Sequence, residues 1–184
     1  MALGIFTQAC AKNVSGASRI FIADKAVATA FTITSHEISA VTGTTPFNRV
    51  DVIQDSISWE EKAEGVGLSN IKVTNTVKFS IMPPSTTTSA FLQALLDGSP
   101  CGFFVILQDS NGKCWLIGHN EIDIRERPLR VKSQTQATGA GLGDANGNTI
   151  PVELGNECSG KALPFNTAMT ATIVAGSDSC LKLS

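Results

Sequence analysis

The stretch IKVTNTVKFSI, residues 71 to 81, constrains this chain more than any other. Ile71, Val73, Val77, Phe79 and Ile81 take alternate positions, with Lys72, Thr74, Thr76, Lys78 and Ser80 between them. A period of two puts each set on its own side of an extended backbone, so the stretch reads as a strand with one buried and one wet face. Asn75 alone breaks the apolar row. Upstream, NRVDVIQDSISWEEKAEG is strand-like through Val50, Val52, Ile57 and Trp59, and is expected to form the other arm of a long hairpin turning between Gly65 and Asn70. Pro83 and Pro84 end the second arm.

The segment PSTTTSAFLQALLDGSP predicts a helix of about three turns. A Ser or Thr near 85 to 88 caps it, Phe91, Leu92, Leu95 and Leu96 form one stripe, and Gly98 is placed to stop it. CGFFVILQDSNGKCWLIGHN reads as two strands around Asp109-Ser110-Asn111-Gly112. The first strand is apolar on both faces from Phe103 to Leu107, which places it centrally. Ile20 and Ile22, then Val27, Phe31 and Ile33, mark two short strands broken at Asp24-Lys25. A glycine-rich loop leads into a strand at 149 to 154, and AMTATIVAG is read as a last strand with Met169, Ala171 and Ile173 on one side. About eight strands and one helix make a single mainly β domain, a sandwich or barrel with one flanking α-helix. The long β-hairpin is left free for sheet extension between subunits.

A chain of 184 residues is long enough to bury roughly 70% of its unfolded surface around one core. Charged residues make up only 16%, where about a quarter is usual, so much of the surface is neutral and polar, a composition that suits packing against other subunits. A net charge of −2 supplies no basic field for sequence-independent binding of nucleic acid or anionic lipid. The start of the chain shows no signal-peptide pattern, and no run of apolar residues is long enough to span a membrane. The five cysteines, Cys10, Cys101, Cys114, Cys158 and Cys180, include no C-x-x-C pair. They are read as free thiols from a reducing compartment.

GNECSGKAL, 155 to 163, comes close to a phosphate-binding loop: Gly155, Gly160 and Lys161 fit, but Ala162 stands where the magnesium-binding hydroxyl is needed. Glu157 would place a negative charge in the cradle, and Pro164 with Phe165-Asn166-Thr167 offers no helical continuation, so a polar surface loop is expected instead. His36 and His119 are the two histidines, and neither has a nucleophile or second carboxyl at catalytic spacing. Cys114 and His119 fall on opposite faces of one strand, as do Glu60 and Glu61. No enzyme, metal or cofactor site is expected.

The one basic stretch runs Arg125-Glu126-Arg127-Pro128-Leu129-Arg130-Val131-Lys132, without aromatic residues for base stacking. Its complement is the segment 51 to 64, where Asp51, Asp55, Glu60, Glu61 and Glu64 face only Lys62. Opposite charges on two exposed elements of one chain suit pairing between identical neighbours. The expected subunit interface therefore takes in Asp51, Asp55, Trp59, Glu60, Glu61, Glu64, Ile71, Val73, Val77 and Phe79 on one side. Arg125, Arg127, Arg130 and Lys132 form the other.

Three stretches in order carry a resemblance. They are SGASRIFIADKAVATAF, FLQALLDGSPCGFFVILQDSNGKCWLIGHN and TGAGLGDANGNTIPVELGNE. The combination resembles tail-tube-like structural proteins from tailed phages of Bacteroidetes hosts, including those related to the crAss-like group. Cys114 stands where relatives often have an aromatic residue, and the likeness does not extend past Phe165. The resemblance implies a virion tail protein assembled in the host bacterial cytoplasm, whose subunits form rings that stack into a conduit for the genome. A hexamer is the favoured ring, a dodecamer the alternative for connectors. Partners would be copies of itself and other tail or neck proteins, with DNA only passing through and no membrane involved. A neck, connector or stopper ring is the variant of the same biology. A β-sandwich module binding carbohydrate or protein is the alternative of another class, and for carbohydrate it needs exposed aromatic platforms, for which Trp59 and Trp115 are the only tryptophans.

Overall fold

The computed structural model describes residues 16–25, 30–42, 47–53, 55–66, 70–81, 85–119, 126–136, 149–158, 160–175 and 180–181. In chain order the elements are β1 (Ala17–Asp24), β2 (Ala30–Thr34), β3 (Glu37–Thr42), β4 (Phe47–Arg49), β5 (Ser58–Val66), β6 (Asn70–Ile81) and α1 (Thr86–Gly98). There follow β7 (Phe103–Asp109), β8 (Cys114–Ile117), β9 (Arg130–Gln134), β10 (Ile150–Cys158), β11 (Leu163–Pro164), α2 (Thr167–Ala175) and β12 (Cys180–Leu181). The fold is mainly β: one sheet has the order β11-β8-β7-β1-β4-β12, a second β5-β6-β10-β9, and β2-β3 pair on their own. The expected sandwich is present, and among the described residues no sheet closes into a barrel.

The first core lies between the two large sheets. Val77, Phe79 and Ile81 of β6 and Val152 and Leu154 of β10 meet Ile20, Ile22, Val105 and Leu107 of the facing sheet, and Leu92 and Leu95 of α1 join them. A second core lies on the far side of the six-stranded sheet, where Phe21, Phe104, Ile106 and Leu116 pack under Ile38 and Val41 of β3 and Ile173 of α2. β7 is therefore covered on both faces, which is why Phe103 to Leu107 shows no alternation.

Local chemistry explains the element ends. Ser85 caps α1, its hydroxyl accepting from the Thr88 N–H at 3.1 Å. Asp109 Oδ1 accepts from the N–H groups of Asn111 (2.9 Å) and Lys113 (2.8 Å), and Gly112 supplies a φ of 81° to close the β7–β8 turn. Gly98 acts differently from expectation, since its φ is not positive; a Cβ there would lie 2.8 Å from the Phe103 ring, so it permits close approach of α1 to β7.

Three expectations change. The segment read as a last strand is α2, with the Asn166 side-chain oxygen accepting from the Met169 N–H at 2.8 Å. Met169 and Ile173 lie four apart, which fits one helical turn as well as alternate strand positions, so their spacing could not decide. The described residues thus hold two helices. Residues 50–53 and 55–57 are not in a strand, because Val50 N–H bonds to Ile20 O (3.0 Å) and Ile53 N–H to Ser80 O (2.8 Å) as single tethers rather than a ladder. β10 runs on to Cys158, so Gly155 to Cys158 form strand rather than surface loop. The glycine-rich loop around 138 to 148, residues 67–69 of the expected turn, Val27, Pro83, Pro84 and Arg125 lie outside the described residues.

Candidate assembly edge

β5 and β6 pair through an unbroken antiparallel register from Ser58↔Lys78 to Val66↔Asn70. Alternation sends Trp59, Glu61 and Ala63 to the inner side with Val77, Asn75 and Val73, and Ser58, Glu60, Lys62 and Glu64 to the outer side with Lys78, Thr76, Thr74 and Lys72. Val73, Val77 and Phe79 are fully buried in the subunit's own core, so they are not interface residues as expected. Alternation identifies a buried face without saying what buries it. Ile71, at the hairpin end of the same row, is 63% exposed.

Asn75, the break in the apolar row, is only 1% exposed and is the centre of a polar chain. Its Oδ1 accepts from the Trp59 indole N–H at 3.2 Å, and its amide donates to Cys158 Sγ at 3.8 Å, while the Cys158 thiol donates to Gly160 O at 2.9 Å. The Trp59 ring lies 5.4 Å from Trp115 of β8. Both tryptophans are half-buried in this contact between the sheets, which leaves little material for a flat carbohydrate platform.

Glu61 also turns inward. Its Oε2 accepts from the Ala162 N–H at 2.7 Å and its Oε1 lies 3.9 Å from Lys161 Nζ, so it is an internal clasp rather than an interface acid. Gly155, Gly160 and Lys161, the near-match to a phosphate loop, are thereby divided between a strand and this clasped segment, and Lys161 leads into β11 rather than directly into a helix. The missing Cβ of Gly155 leaves room for the alkyl chain of Lys132.

On the outer face Lys62 Nζ lies 2.5 Å from Glu64 Oε1. The Glu64 carboxylate raises the Lys62 pKa by hydrogen bond and charge, and Lys62 lowers that of Glu64 in return. Both are exposed, so the pair contributes little to stability. Glu60, beside them, makes no ion pair among the described residues. Asp51 and Asp55 precede β5 and lie away from its ladder. Asp51 is 3.6 Å from Arg49 Nε, Asp55 has a φ of 60°, and both rim a cleft of about 390 Å³ with Arg19 and Ser110.

The basic residues lie at the opposite border. Arg130 and Lys132 are exposed on β9, Arg127 is exposed just before it, and none forms an ion pair among the described residues. β9 is partly capped, its Val131 N–H donating to Ser99 Oγ at 3.1 Å. β5 bonds to no strand but β6 among the described residues, which leaves its outer backbone row open.

The other candidate groups are tied up singly. His119 Nδ1 is 2.7 Å from Glu126 Oε1, and its ring packs 4.9 Å from Phe31. Cys114 is buried, which pushes its thiol up to about 11, with Asp109 adding to the shift and Arg19 opposing it. Among the described residues no three His, Cys, Asp or Glu side chains converge as metal ligands, and no helix is long and apolar enough to cross a membrane.

No family model, curated protein or solved structure matches the chain.

Proposed function

We propose that the chain is a virion structural protein whose copies join edge to edge into rings, forming the tail tube or tail conduit of a tailed phage. The observation that carries this is the open edge of β5, nine residues from Ser58 to Val66, the longest border strand of the two large sheets among the described residues, where β11 and β12 are two residues long and β9 is partly capped. A long uncovered edge invites another strand, and a second copy is the partner always present.

The four-stranded sheet also has the parity that a ring requires. Its three pairings, β5 to β6, β6 to β10 and β10 to β9, are all antiparallel, so β5 and β9 run in opposite directions. A neighbour placed head to tail then continues the sheet antiparallel, and such a contact closes into a ring when its rotation divides a full turn. The phage setting comes from the resemblance of the three sequence stretches.

Light scattering of the purified full chain and negative-stain imaging test the proposal together. Closed rings, hexameric or dodecameric, are expected, and stacking into tubes separates a tube subunit from a connector that forms a single collar. A protein that stays monomeric at high concentration and is absent from purified virions overturns it.

A further inference from the structure

The sheet's register joins the two charged borders in one row. Glu60 of β5 stands opposite Thr76 of β6, Thr76 opposite Gly155 of β10, and Gly155 opposite Arg130 of β9. All four positions face the outer side. One row across the sheet therefore begins with a carboxylate and ends with a guanidinium, neither of them ion-paired among the described residues.

Beside Arg130 the border opens into a groove of about 610 Å³ between β9 and the last turn of α1, lined by Leu96, Ser99, Pro100, Lys132 and Gln134. Two features of this groove are unusual for a finished surface. Leu96 is 43% exposed, and the Gln134 side-chain carbonyl is shielded from solvent without a hydrogen-bond partner. Gly155 matters here too, because the Lys132 chain lies over it on the side of the sheet where Arg130 stands.

We infer that this groove seats β5 of a second copy, in the register that sets Glu60 of one copy opposite Arg130 of the next. The inference rests on the proposed ring and specifies its contact. A neighbour that continues the sheet along the Glu60–Thr76–Gly155–Arg130 row brings the acid of one border against the base of the other. Antiparallel continuation in this register lays the start of the neighbour's β5 along Arg130 to Lys132 and the segment that leads into it toward Leu96 and Gln134 at the far end of the groove. Two β5 edges meeting each other would instead bring like net charge together.

The test uses two full-length variants, Glu60→Arg and Arg130→Glu, each changing an exposed side chain that packs against nothing in the core. Sedimentation velocity over a concentration series reads assembly of each variant, of the native chain and of an equimolar mixture. Each variant alone puts like charges in the contact and is expected to weaken association about fivefold per interface. The mixture is expected to recover, because the reversed borders of the two variants fit each other, their native borders fit each other, and an even ring can alternate them. A folding defect cannot be rescued this way. If the native chain assembles but the variants do so equally well, or the mixture is no better than its components, the groove contact is wrong while the ring survives. A native chain that stays monomeric removes the ring and the contact together.

Discussion

Replacing Asn75 by Ala removes a polar side chain that is 1% exposed from beneath the β5 edge. The Trp59 indole N–H loses its acceptor at 3.2 Å, and the 3.8 Å contact to Cys158 Sγ goes with it. A net hydrogen bond is worth about 1 kcal/mol, and leaving the half-buried indole N–H unpaired adds about 1 kcal/mol or more, so a loss of roughly 2–3 kcal/mol is expected. For a chain of this size that lowers Tm by about 4–10 °C. Trp59→Phe leaves Asn75 Oδ1 unpaired in turn and weakens the contact with Trp115 5.4 Å away. Urea melts of both single variants and the double variant complete the cycle. The double variant is expected to be more stable than the sum of the single losses by about 1–2 kcal/mol, because the bond can be lost only once. Hydrogen exchange adds the location: β5 amides should lose protection while β7 amides, covered on both faces, keep theirs. Losses that add within about 0.5 kcal/mol, or protection that falls evenly across both sheets, would refute the idea that this bond fastens β5 to the sandwich.

Gly118 has a φ of 106°, and a Cβ there would lie 2.9 Å from both Leu129 Cδ1 and Phe103 O, so Gly118→Ala is expected to cost about 3–5 kcal/mol from strain plus overlap, read as a fall in the urea midpoint. The buried Cys114 thiol sets a pH dependence. Its value rises from an ordinary 9.0 to about 11 in the folded chain, so between those limits the unfolded chain binds fewer protons than the folded one. Stability is then expected to fall as pH rises from 9.0 to about 11, and Cys114→Ala should flatten that limb of a denaturation-versus-pH curve.

Much of the fold was legible because its signals were local. The period of two in 71–81, the Ser85 cap with Leu92 and Leu95 four and three residues apart from their neighbours in the stripe, and the Asp109–Gly112 turn each depend on a few adjacent residues, and each appears in the structure as read. The lack of alternation in Phe103 to Leu107 pointed correctly to a strand covered on both sides. Signals that depended on distant partners were not legible. Glu61 looked like one more acid in a wet cluster, and only its bond to Ala162, 101 positions away, makes it a clasp. Val77 and Phe79 showed a sticky face, but whether a sheet of the same chain or a neighbouring copy covers it is decided by β1 and β7. Asn75 was visible as an anomaly, and the partner that explains it, Trp59, lay on the other arm of the hairpin already drawn. Gln134 gave no sign at all, since an orphaned carbonyl is a property of its surroundings.

The borders of the two large sheets differ in a way that bears on how copies can meet. The six-stranded sheet ends in β11 and β12, each only two residues long, and short edge strands offer a neighbour little to pair with. β9 has part of its edge closed by Ser99. β5 is long and open, and its protection is chemical instead: Glu60, Glu61 and Glu64 outnumber Lys62. Charges on an edge strand discourage indiscriminate pairing, yet they do so selectively, because a strand of net negative charge repels its own copy and accepts a basic border. In the proposed assembly these residues therefore disfavour a twofold dimer through β5 and leave the head-to-tail contact as the favoured one. A head-to-tail contact has no natural end except closure, so the proposed assembly would be either a ring or an open filament, and the angle between neighbouring sheets would decide which.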